Sequence, residues 1–207
     1  RRRGEAEAQP LYGHDDVAAA MRLLRPLDYD TETEILPGVR IRLRDAGHIL
    51  GSAIVELWAD GRKLVFSGDL GQKGTPILRD PVAIPDADLV LMESTYGDRN
   101  HRERDATVHE LGGILEHAWR ERGNVLIPAF AVGRSQELLY WFARHWDEWK
   151  MARWRIFLDS PMAARVVRVY DRHHAIFDAD AQAVWKGRPN PFRLPNLHVT
   201  ETTPESM

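Results

Sequence analysis

Three short segments carry most of the chemistry in this chain: Ala46-Gly47-His48-Ile49-Leu50-Gly51-Ser52, Phe66-Ser67-Gly68-Asp69-Leu70-Gly71 and Met92-Glu93-Ser94-Thr95-Tyr96-Gly97. Each sets one metal-competent or acid–base side chain, His48, Asp69 or Glu93, among small residues that let a backbone turn sharply and approach an ion or phosphate closely. His48 reads as an imidazole ligand on a loop between strands. Asp69, on a Gly-Asp corner just past an apolar stretch, is suited to bridge two cations. Glu93 follows Leu89-Val90-Leu91-Met92 directly, so its carboxylate must be paired, metal-bound or exposed at a sheet edge. Taken singly, each has an ordinary explanation: a loop or core histidine, an aspartate in a turn, a strand end. Three in order, each after an apolar strand, point to strand ends converging on one rim of a β-layer and to a hydrolytic centre there.

Other candidates are weaker. Ser94 and Thr95 offer hydroxyls, and with Gly97 backbone N–H groups, to an oxyanion. Gly133-Arg134-Ser135 and Asp159-Ser160-Pro161 sit at strand-to-helix turns, where helix N-termini favour anions. Arg134 and Ser160 are therefore candidate phosphate contacts, although such turns are more often only capped helix starts. His109 and His117 lie too far apart on one helix to share a metal. His173 and His174 form a solvated pair at a helix end. His14, His101, His145 and His198 have no partner at ligand spacing.

The elements that must position these residues change character along the chain. Asp15 to Arg25 reads as a short helix stopped by Pro26. Val39 to Arg44 alternates strictly and predicts a strand with one wet, arginine-bearing face. Ala53–Trp58 and Lys63–Phe66 are strands joined by the hairpin signal Ala59-Asp60-Gly61-Arg62. Asp88–Met92 predicts a strand buried on both faces. After the polar stretch from Gly97 to Asp105 come a helix over Thr107–Arg122 ending at Gly123, a buried strand over Asn124–Ala129, and a helix over Gln136–Trp149 with Ser135 as N-cap. A strand over Trp154–Leu158, a helix from Pro161 to about His174 and a last strand at Leu197–Thr200 complete the alternation of a parallel α/β sheet. Residues 1–10 read as a loose polar connection.

Composition bounds the chemistry. The chain has 207 residues, 43% hydrophobic, enough for a substantial core. It has no cysteine, so disulfides and thiolate zinc sites are excluded, and any metal rests on His, Asp, Glu or water. A net charge of −3 rules out a generic polyanion binder. No apolar run is long enough for a transmembrane helix, and Arg1-Arg2-Arg3-Gly4-Glu5 does not open a secretory signal.

Taken together, Ala46–Asp69, Glu93–Gly97, the run Ile127-Pro128-Ala129-Phe130-Ala131-Val132-Gly133-Arg134-Ser135-Gln136-Glu137-Leu138, and Leu158-Asp159-Ser160-Pro161-Met162-Ala163 resemble the motifs of metallo-β-lactamase-fold nucleases of the β-CASP family. The resemblance runs from about Pro10 to Met207, and Glu93-Ser94-Thr95-Tyr96-Gly97 favours the RNA-processing branch over the DNA-repair branch. It implies an α/β fold: part of a metallo-β-lactamase αββα sandwich over residues 1–98, then part of a parallel α/β β-CASP domain over residues 99–207. It also implies a zinc-dependent phosphodiester hydrolase, a ribonuclease of RNA processing or decay, with exonuclease and endonuclease both open. Two zinc ions would serve the complete enzyme, with His48 and Asp69 as ligands and Asp69 bridging. Glu93 would orient a histidine that helps protonate the leaving oxygen. Ser94, Thr95, Arg134 and Ser160 would contact single-stranded RNA. A cytoplasmic setting, no membrane partner and a homodimer as candidate assembly complete these expectations.

The family's His-x-His-x-Asp-His motif does not occur in this sequence. The resemblance places it upstream of Arg1. The expectation is therefore a middle portion of a longer nuclease, with an incomplete ligand set and no activity by itself. An inactive β-CASP-like scaffold or RNA-binding subunit is the alternative; the presence of His48, Asp69 and Glu93 together speaks against it. A hydrolase of small thioesters or lactams has no need of the α/β segment after Gly97.

Overall fold

In a computed structural model, the protein is described over residues 10–187, 189–200 and 202. The loose connection expected over residues 1–10 lies, apart from Pro10, outside the described residues.

Short turns build the first half. Strands β1 (Thr33–Leu36), β2 (Val39–Asp45), β3 (Ala53–Ala59) and β4 (Arg62–Phe66) pair antiparallel in sequence order. The β3–β4 connection is the expected two-residue hairpin, with Asp60 and Gly61 both at positive φ (48° and 73°), the conformation that matches strand twist. Strand β5 (Leu89–Leu91) then adds parallel to β4 and completes a five-stranded sheet. Helix α1 (His14–Leu23) ends just before Pro26, as its sequence indicates, but buries none of its residues.

The strict alternation of β2 is real, yet its two faces behave differently from expectation. In register, Arg42 lies opposite Glu56 and Arg44 opposite Ile54. The arginine face therefore carries Ile54 and Val65, which with Ala46 form a small core that Leu70 and Ile84 cover. It stays compatible with burial because Glu56, 1% exposed, accepts from Arg42 (Nε–Oε2 2.7 Å) and Lys63 (Nζ–Oε1 2.8 Å). The face is a paired, half-buried one rather than a wet one. Strand β5 is a further correction. Leu89, Val90 and Leu91 are all exposed, because β5 is an edge strand with one neighbour and no described element packs over it.

The second half is helical. It comprises α2 (Arg104–Arg120), α3 (Arg134–Arg144), α4 (Pro161–Arg172) and α5 (Ala179–Lys186), with the parallel pair β6 (Ile156–Leu158) and β7 (Leu197–Val199). Helix α2 closes with Arg122 at φ 53° and the Gly123 N–H donating to the Ala118 carbonyl, so the left-handed stop falls one residue before the glycine. Residues 124–130 form no strand, and Leu126 and Phe130 are exposed, against the buried strand expected there. Without a hydrogen-bonded partner, an apolar run has no ladder to join.

The main core collects Leu115 of α2, Leu139, Tyr140 and Phe142 of α3, Val167 and Tyr170 of α4, and Phe177, Phe192 and Leu194. It also takes in Ile77 and Leu78 from the loop that follows Asp69. Ile77 is 2% exposed and adopts φ 77°, rare for a β-branched residue, while its carbonyl accepts from the Asp178 N–H at 3.1 Å. The loop leaving the sheet's rim is thus anchored inside the helical half. That anchorage holds the two halves around one cleft.

Candidate active site

The three motif segments do end at one rim. After β2, the chain turns at Gly47, whose N–H donates to Asp45 Oδ1 at 2.9 Å. The loop is then locked by Ser52, whose hydroxyl oxygen accepts from the N–H groups of His48 (3.1 Å) and Ile49 (3.3 Å). After β4, the backbone turns at Gly68 (φ 56°) into Asp69. Two contacts fasten this loop to its neighbours: the Gly71 N–H donates to the Ala46 carbonyl at 2.9 Å, and the Ser67 N–H to the Leu91 carbonyl at 2.9 Å. The Ser67 hydroxyl in turn receives the Glu93 N–H at 3.1 Å.

His48 Nε2 and Asp69 Oδ2 consequently stand 3.9 Å apart, both facing solvent. Glu93 joins them through its carboxylate, which accepts from the Leu70 N–H. That bond and the Thr95 hydroxyl hold the Glu93 carboxyl below its ordinary range, partial desolvation opposes them, and the Thr95 N–H and the nearby His48 add to the lowering. Glu93 is therefore a carboxylate in neutral solution, spent in part on orienting the Asp69 loop.

His48, Asp69, Glu93, Thr95 and Arg134 all line one cleft of about 1340 Å³ between the sheet's rim and helices α2 and α3. Arg134, the first residue of α3, pairs with Glu137. Glu137 also receives Arg104 (3.3 Å), and Arg104 reaches back to Gln72 (3.2 Å) and Thr75 (3.1 Å) on the loop after Asp69. Gly133 (φ 84°) is the N-cap of α3, its N–H donating to Gln136 Oε1, while the Ser135 hydroxyl donates to the Phe130 carbonyl. Ser135 is thus a brace inside the first turn and not the N-cap.

Two of the sequence-derived candidates stand apart. Ser94 is exposed but does not line the cleft. Ser160 is the N-cap of α4, its hydroxyl accepting from the Ala163 N–H at 3.2 Å, and it too is absent from the lining although Met162 contributes. Conversely, Tyr96, His101, Arg104 and Glu137 line the cleft without having been singled out. Tyr96 and Glu137 lie inside segments that carry the resemblance, and His101 shows no partner at ligand spacing in the sequence; Arg104 carries no local signal, because its place depends on how α2 packs. His174 is also not simply solvated, since its ring stacks on Trp185 with centroids 3.6 Å apart.

Imidazole nitrogen and carboxylate oxygen suit zinc. Among the described residues, however, no group of three or more His, Asp or Glu side chains comes together to hold a metal ion. His48 and Asp69 are two donors, short of the three protein ligands of a catalytic zinc site. The described residues alone do not make a zinc centre.

A mixed α/β fold whose strand ends feed carboxylate and imidazole groups into a cleft shared with a helical unit is consistent with the metallo-β-lactamase/β-CASP fold, and part of the chain matches a model of that family. Residues 135–207 match the Beta-Casp domain. Over 198 residues the chain is 45% identical to Ribonuclease TTHA0252 of Thermus thermophilus, covering 96% of this chain and 45% of that protein. It is 29% identical over 193 residues to Endoribonuclease YSH1 of Yarrowia lipolytica (91% and 23%). It is likewise 29% identical over 189 residues to the RNase J-like protein of Methanocaldococcus jannaschii (87% and 44%). The chain spans less than half the length of each of these relatives.

Proposed function

We propose that this chain supplies part of the active centre of a zinc-dependent ribonuclease acting on single-stranded RNA. The observation that carries the reading is the 3.9 Å approach of His48 to Asp69 in the cleft that also holds Glu93, together with the ribonuclease relatives. In this reading residues 1–98 belong to the metallo-β-lactamase half and residues 99–207 to the β-CASP half.

His48 and Asp69 would hold zinc together with ligands from elsewhere in the complete protein; the metal supplies an activated hydroxide and neutralises charge on phosphoryl oxygens. The chain's own groups do the rest. Arg134 carries a planar guanidinium suited to phosphate oxygens at the cleft wall. Thr95, and more remotely Ser94 and Ser160, offer hydroxyls to the RNA backbone. Glu93, ionised and tied to Leu70 and Thr95, provides a fixed hydrogen-bond acceptor beside the Asp69 loop, suited to orient a histidine that helps protonate the leaving oxygen. A cytoplasmic setting and a homodimeric assembly belong to the same reading, checked by cell fractionation and sedimentation.

The competing scaffold reading draws on the two-donor count. Zinc calorimetry and cleavage of end-labelled RNA separate the two. The 207-residue chain should bind zinc weakly and leave RNA intact. The complete protein should cleave RNA, and Asp69→Ala should abolish turnover. Tight binding of two zinc ions by these residues with turnover overturns the inactivity of the chain alone. Undiminished cleavage by Asp69→Ala overturns the site.

A further inference from the structure

The cleft carries more aromatic surface than phosphodiester hydrolysis requires. Tyr96, 51% exposed, lines it three residues beyond Glu93. The His101 ring lies against the Tyr96 ring, with centroids 4.0 Å apart and planes tilted by 41°. The Arg99 guanidinium lies over the Tyr96 ring at 5.1 Å. Phe130, 85% exposed, lines the same cleft from the loop that precedes α3. Arg102, Arg104 and Arg134 also line it, each paired with Glu110 or Glu137, while Asp69 and Glu93 bring further carboxylates to the same lining.

Single exposed aromatics are ordinary on protein surfaces. Aromatic faces gathered in one arginine-bearing groove are different, because that combination binds single-stranded nucleic acid: cations follow the backbone and rings stack on bases. Position strengthens the argument. The 93–96 segment is pinned through Glu93 to Leu70, so a base stacked on Tyr96 is held at a fixed distance from the His48–Asp69 pair.

We infer that Tyr96, with His101 against its ring and the Arg99 guanidinium over it, is a base-stacking platform for one nucleotide of single-stranded RNA, with Phe130 as a second stacking face in the same cleft. The inference rests on the ribonuclease reading and adds what that reading lacks, a contact to bases rather than phosphates. Stacking accepts any base, so the platform selects for a base over none and sets no sequence.

The test is fluorescence anisotropy with the metal-free chain and two labelled probes, an oligoadenylate ten-mer and an abasic ribose-phosphate ten-mer. The oligoadenylate should bind about fivefold tighter or better. Tyr96→Ala should cut that preference by half or more and leave the abasic affinity unchanged, whereas Tyr96→Phe should keep it. Phe130→Ala should weaken oligoadenylate selectively. If Tyr96→Ala binds both probes as the parent does, the platform is wrong while the ribonuclease reading stands. If the folded chain binds neither probe, the platform also falls, and RNA cleavage by the complete protein decides the ribonuclease reading separately.

Discussion

The backbone of Gly71 lies directly against that of Gly47: a methyl group on Gly71 would sit 1.6 Å from the Gly47 carbonyl oxygen and 2.1 Å from its carbon. The contact exists because the Gly71 N–H donates to the Ala46 carbonyl, zipping the Asp69 loop onto the His48 loop. The 3.9 Å spacing of the two donors follows from this backbone closeness. Gly71→Ala should therefore cost about 3 kcal/mol or more, since backbone cannot yield as a side chain does. It should also move the His48 ring resonances. Urea unfolding and NMR check this; a well-folded, full-stability variant with an unshifted His48 would contradict it.

Glu93 gives a pH dependence with a definite sign. The Leu70 N–H, then the Thr95 hydroxyl, lower its carboxyl from the ordinary 4.5. A carboxyl whose folded value is depressed stabilises fully above its unfolded value and loses that stabilisation as pH falls through the folded one. The Leu70 amide proton shift should accordingly titrate with a midpoint below 4.5, and Glu93→Gln should remove the titration. A midpoint at or above the ordinary value sinks the assignment.

Glu56 is the buried counterpart. Burial by itself would raise its carboxyl, but the hydrogen bonds and charges of Arg42 and Lys63 prevail and lower it. Glu56→Gln removes the charge shared by Arg42, Lys63 and, more distantly, Arg44; Arg42 partly reaches solvent, and nearly buried Lys63 keeps only Asp86 at 3.3 Å. The loss should be roughly 2–4 kcal/mol, measured by denaturant midpoint. The sign in acid is the same as for Glu93: stability falls as Glu56 takes up its proton.

Ser160 separates capping from RNA contact. Its hydroxyl receives the Ala163 N–H at the start of α4, so Ser160→Ala should cost about 1 kcal/mol. RNA affinity measured on the folded variant should stay constant if the cap is its whole role. A marked loss of affinity would give the hydroxyl a place at the RNA backbone.

Much of this was legible in the sequence for local reasons. The Asp60-Gly61 turn, the α4 start at Ser160-Pro161 and the sequence order of β2 to β4 depend on neighbours in the chain, and each stands where residue type demands, whereas β1 gave no signal of its own. Burial was less legible. Leu89-Val90-Leu91 reads as interior but occupies an exposed edge, and Leu126 reads as strand core but finds no ladder. Hydrophobicity states what a segment gains from cover, not whether cover is present.

Residue identity and order alone determined that His48, Asp69 and Glu93 would lie at strand ends, because turns and apolar runs are short-range features. Only the tertiary structure decided which groups share their cleft. Arg104 and Glu137 reach it through the packing of α2 and α3, and the loop that receives Arg104 is held by Ile77 anchored in the helical core. Those contacts join residues tens of positions apart, and no local pattern of side chains encodes where two packed surfaces will meet.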